Sequence, residues 1–117
     1  METACIAEDL REVLVQQIAL IERLSEEEMQ LQELVIQKNW VGLEESISKL
    51  KDFSEQVMQL ETQRHQIYTD LKKEKGLSEE DGFYDLLASM PESDRRELAE
   101  LYRKLKVNVL KVQTLNG

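Results

Sequence analysis

The sequence predicts an all-α protein: a long antiparallel helical hairpin, coiled-coil-like, plus a short helix and a C-terminal helix packing as a helical bundle. Three observations carry this. Ala, Glu, Lys, Leu, Arg and Gln make up 66 of the 117 residues, the balance of long helices and not of a sheet. The four glycines and one proline fall at the edges of periodic segments. Within those segments apolar residues recur at three-and-four spacing, the period of a buried helix face. A sandwich, barrel or doubly wound fold would need β-branched runs and frequent Gly/Pro turns. A length of 117 residues makes one domain, residues 1–117.

The first helix is predicted over about residues 6–38. Its stripe is Ile6, Leu10, Val13, Leu20, Leu24, Leu31 and Leu34, widened by Leu14, Ile21 and Val35. At 1.5 Å per residue it is roughly 50 Å long. Glu26-Glu27-Glu28 crosses the stripe and leaves it polar for about a turn. Asn39-Trp40-Val41-Gly42 reads as the connection. The second helix is predicted over about residues 43–75, with the stripe Leu43, Ile47, Leu50, Phe53, Val57, Leu60, Ile67 and Leu71. Equal lengths and a short connection make the two antiparallel neighbours. A turn centred near Val41 sets Gln17 and Arg64, the polar interruptions of the two stripes, opposite each other as a polar layer that fixes register.

The segment Gly76 to Gly82 is the second punctuation mark. After it, Phe83, Tyr84, Leu86, Leu87 and Met90 give a short helix, about residues 82–89, a dense apolar face that plugs one end of the hairpin. Pro91 marks a restart, and Glu92 and Asp94 suit the positive end of a helix dipole. The last helix is predicted over about residues 92–115. Its main row is Leu98, Leu101, Leu105, Asn108, Val112 and Leu115, flanked by Tyr102 and Val109. After Leu105 the apolar residues leave a single face, because Val107 and Leu110 point roughly opposite Leu105 and Val112 at 100° per residue. A helix apolar on two sides is covered on two sides, and the hairpin covers only one.

Charge separates the same regions. The net charge is −9, with 11 acids and 3 bases in residues 1–45, whereas residues 101–117 carry Arg103, Lys104, Lys106 and Lys111 and no acid. Net negative charge argues against nucleic acid and anionic membrane as partners. No run of about 18 apolar residues is present, so membrane insertion is not expected. The acidic start lacks the character of a signal peptide. A single cysteine, Cys5, forms no internal disulfide, which suits a cytoplasmic location.

No catalytic constellation is found. His65 is the single histidine, and on the hairpin it stands about 18 Å along the helix from Cys5, beyond the reach that nucleophilic catalysis needs. No P-loop, dinucleotide fingerprint or paired-cysteine motif occurs. A Glu27 site with Glu44 or Glu45 lacks the Glu-x-x-His of di-iron bundles, and the glutamates read as a solvated face. No cofactor, metal or enzymatic activity is expected. Asn108 in an apolar row reads as a register-setting polar contact, with a direct role in partner binding as the sharper alternative. The apolar excess of the last helix reads either as a core helix or a chain end that packs in an oligomer, or as a partner-binding face.

The arrangement resembles the FlgN family of flagellar export chaperones. Three stretches carry the resemblance: the turn Lys38-Asn39-Trp40-Val41-Gly42-Leu43; Leu60-Glu61-Thr62-Gln63-Arg64, similar to a Leu-Glu-x-x-Arg in the family's second helix; and the ending Val112-Gln113-Thr114-Leu115-Asn116-Gly117, similar to Leu-Asn-x-x-Asn-Gly. Gln113 departs from that pattern, and family members continue beyond the position of Gly117. The resemblance implies a cytosolic chaperone of the type III export pathway. Such a protein binds the C-terminal amphipathic helices of hook-associated junction proteins, prevents their premature assembly and delivers them to the export apparatus. An added substrate helix would lie on the second apolar side of the last helix. The expected contact set is Leu105, Val107, Val109, Leu110, Val112 and Leu115, with Asn108 and Asn116 as polar specifiers. Such a chaperone is expected to be monomeric or weakly dimeric. The reading from another class is a structural coiled-coil module, a self-associating scaffold or adaptor in which that face is already occupied.

Overall fold

Three residues, Gln37, Lys38 and Asn39, make the whole hairpin turn. In the computed structural model, which describes the backbone of residues 2–116 and the side chains of residues 8–114, they separate α1 (Glu2–Ile36) from α2 (Trp40–Glu74). Lys38 takes the left-handed conformation at φ 57°. Its amide donates to the Val35 carbonyl at 3.1 Å and that of Asn39 to Leu34 at 3.0 Å, which closes the end of α1 in a Schellman motif. Asn39 then caps the next helix: its Oδ1 accepts from the Gly42 amide at 3.0 Å. One residue ends α1 and begins α2, so Trp40, Val41 and Gly42 form the first turn of α2. This corrects the expected start at Leu43.

The tighter turn also changes the register. Gln17 Nε2 donates to Glu61 at 3.0 Å and Ser46 Oγ donates to Glu27 at 2.8 Å, which centres the antiparallel pairing near Lys38 and not near Val41. With Ser46 buried in the seam, its neighbour Ile47 rotates outward and is 52% exposed. The expected place of Ile47 in the buried stripe is therefore corrected.

At the other end α2 closes with a second Schellman motif. Gly76 at φ 72° donates to Lys73, and Leu77 donates to Lys72 at 2.8 Å. Ser78 and Gly82 amides donate to the Asp81 and Asp85 carboxylates, and the chain enters α3 (Phe83–Ala88). Phe83 is buried, and its ring lies 5.2 Å from that of Tyr68 and 4.2 Å from that of Tyr102. It ties α2 to the last helix, α4 (Glu92–Asn116). Leu86, Leu87 and Met90 join Leu10, Leu14, Leu71, Leu98 and Leu105 in one buried cluster, so the short helix plugs this end of the hairpin.

α4 runs parallel to α1. Arg11 pairs with Glu97, and Glu22 accepts from Asn108, a constant offset along both helices. α4 packs on α1 and α3, and it reaches α2 through the Arg64 side chain over Tyr102. On that offset Asn116 comes level with Gln30, so the last turns of α1 and the first of α2 extend beyond α4 as a two-helix tip. The bundle measures 55 × 23 × 20 Å. The described residues are all-α, with four helices and no strand.

Candidate partner-binding surface

α4 divides the expected contact set into three groups. Leu105 and Asn108 are buried against α1, where the Asn108 amide donates to Glu22 at 3.4 Å. Val109 and Val112 are half-buried at the edge of the core. Val107 and Leu110 face outward, 42% and 61% exposed. The Leu115 and Asn116 side chains lie outside the described residues. So the residues that one apolar row brings together in sequence serve two surfaces in space. Arg103, Lys104 and Lys111 are exposed on the same stretch, and Lys104 Nζ approaches Glu22 at 3.9 Å.

The aromatic end of α4 is cationic as well. Lys106 Nζ lies 4.5 Å from the Tyr102 ring centre and 5.5 Å from that of Tyr84. Arg64 stacks from the other side, 5.4 Å from Tyr68 and 6.0 Å from Tyr102. Two cations therefore clamp the tyrosines that hold Phe83 in place.

Gln17 and Arg64 are joined through a residue that sequence reasoning missed. Gln17 is 1% exposed and donates to one Glu61 oxygen, while Arg64 pairs with the other. Glu61 is an ordinary surface glutamate by pattern, since it stands on the polar edge of its helix. Burial alone would push its carboxyl up. The hydrogen bonds from Arg64 and Gln17, and the charge of Arg64, outweigh that and hold it below the usual carboxylate range. Burial pushes the Tyr68 hydroxyl well above its usual range, against the nearby Arg64 charge, so it stays neutral. The same arrangement recurs three times in the seams: buried Gln17, Ser46 and Asn108 each donate to a glutamate of another helix. A neutral donor inside and an acid at the rim pair across the seam without burying a charge.

His65 is exposed beside Gln66 and Thr69. Cys5 lies outside the described side chains. Glu27 is engaged by Ser46, and no group of three metal-ligating side chains occurs among the described residues. No described helix is long and apolar enough to cross a membrane.

No curated protein and no solved structure matches the chain. The family model described as "FlgN protein" matches residues 1–117, the whole chain. The chain belongs to the FlgN family, whose members are flagellar export chaperones.

Proposed function

We propose that this chain is a cytosolic chaperone for hook-associated junction proteins, binding their C-terminal amphipathic helices through α4, keeping them from premature assembly and handing them to the export apparatus. The single observation that supports the substrate side is the outward face of α4. Leu110 and Val107 are exposed in a segment that has four bases and no acid. Exposed apolar residues grouped on one helix face mark an interaction surface, and an amphipathic helix can complete such a face by adding to the bundle. Of the expected set, Val107 and Leu110 make the centre of the contact, with Val109 and Val112 at its edge. Leu105 and Asn108 act indirectly, by fixing α4 on α1. A partner that orders on binding loses conformational entropy, which keeps the affinity modest and the complex releasable.

The test is calorimetric titration with the C-terminal helices of junction proteins. Leu110→Glu is expected to abolish binding and to leave helicity and the melting midpoint unchanged. Unfolding of that variant would place Leu110 in the core. A tight homo-oligomer with no heterologous binding would instead favour the self-associating scaffold.

A further inference from the structure

The tip of the hairpin carries a second apolar surface. Met29, Ile36, Trp40 and Ile47 are 58%, 74%, 59% and 52% exposed. Their positions are not scattered. On α1, Met29 and Ile36 stand seven and fourteen residues beyond Glu22, the residue that meets Asn108 and Lys104 of α4. On α2, Ile47 and Trp40 stand fourteen and twenty-one residues before Glu61, on the stripe that also holds Tyr68. Heptad spacing keeps residues on one face of a helix. All four therefore line the side of the hairpin on which α4 lies: Met29 and Ile47 come level with its last turn, and Ile36 and Trp40 lie past its end.

We infer that the open end of this side docks a short amphipathic helix of another protein, with an apolar stripe flanked by Lys and Arg. The helical form follows from continuity, because the α1 stripe already seats a helix, α4, up to the level of Gln30. The sign of the flanking charge follows from the rim. Residues 24–55 carry eight acids and three bases. A second copy does not fit the tip-to-tip arrangement, since it brings like charge against like. The surface is separate from the outward face of α4 and does not depend on the role proposed for it.

Trp40 is the only tryptophan, so its emission reports directly on the tip. The probes are two synthetic helices of about 18 residues with the same leucine stripe, one flanked by lysines and one by glutamates. The lysine peptide is expected to shift Trp40 emission to shorter wavelength, saturably, with affinity falling as salt rises. The double variant Ile36→Ser, Ile47→Ser keeps every charge, and both positions are exposed, so circular dichroism and the melt should be unchanged. Its affinity for the lysine peptide should fall about tenfold, while Leu110→Glu leaves that affinity unchanged. No shift, equal binding of the glutamate peptide, or full binding by the double variant would overturn the inference. So would a concentration-dependent shift without peptide, accompanied by a dimer in light scattering, because the seat then belongs to a second copy.

Discussion

The base and the tip of this molecule are built from the same two helices, yet they differ in what lies against them. At the base, α1 and α2 are flanked by α4 and plugged by α3, and Leu10, Leu14, Leu71 and Leu86 are fully buried. At the tip only the hairpin remains. Leu31 and Leu43 are half-buried there, and Leu34 is the one described apolar residue of the tip that is buried. Two helices give each other one face, and a third neighbour is what turns a stripe into a core. The comparison teaches that burial is divided along the hairpin: the base holds the core of the fold, and the tip leaves apolar surface exposed.

The sharpest way to break that comparison is to make one substitution at each end of the same helix. Leu14→Ala removes a fully buried side chain and is expected to cost about 3 kcal/mol, transfer and cavity terms together. Leu31→Ala removes a half-buried one that water can partly reach already, and about 1 kcal/mol is expected. Urea unfolding measures both. Equal costs would mean that the tip is packed as tightly as the base.

Native-state hydrogen exchange asks the same question of the backbone. Amides of α1 between Leu10 and Ile21 should exchange only through global unfolding. Those from about Glu27 to Ile47 should open locally, protected by about 2 kcal/mol less. Uniform protection from end to end would show a hairpin that opens as one unit.

Much of this was legible in the sequence, and the misses have physical causes. The helices, their antiparallel pairing, the plug and the outward turn of Val107 and Leu110 all follow from apolar period. That pattern reports which side of a helix is apolar, but not how far its neighbour extends. Ile47 fits the stripe of α2 as well as Leu71 does. One is exposed and the other buried because the tighter turn sets Ser46 in the seam and rotates Ile47 out of it, a register that no local pattern encodes. Glu61 was invisible for a related reason: a rim acid acquires a role only when the register delivers Gln17 to it. The turn was misplaced because Asn39 signals both loops and caps, and because lysine rarely adopts the left-handed conformation that Lys38 takes.

That conformation offers a smaller test at the tip. Lys38→Gly relieves a left-handed side-chain clash and is expected to stabilise the protein by about 1 kcal/mol, less the added freedom of the unfolded chain. Gly76→Ala at the base imposes the same clash, with nothing within 4 Å of the new methyl to offset or worsen it, and should cost about 1 kcal/mol. Thermal melts of the two variants should move in opposite directions. A destabilised Lys38→Gly would mean that the lysine side chain contributes more than its backbone costs.

The smallest expected effect lies between the two regions, where Glu61 links Gln17 to Arg64. Its carboxyl titrates below the usual range in the folded chain, so the folded state binds its proton less readily than the unfolded state does. The resulting stabilisation is fully present above the unfolded value of about 4.3 and disappears as the pH falls through the lower, folded one. Because the side chain is 53% exposed, solvent screens the pair, and the loss should stay below about 1 kcal/mol. Glu61→Gln removes the titrating group. The difference in stability between wild type and variant should therefore shrink between pH 5 and pH 3, values that bracket that range, and remain constant from pH 6 to pH 8, where the carboxylate is ionised in both states. A difference that stays fixed across the acid range would show that Glu61 acts on register through hydrogen bonds alone, with its charge contributing nothing to the junction of base and tip.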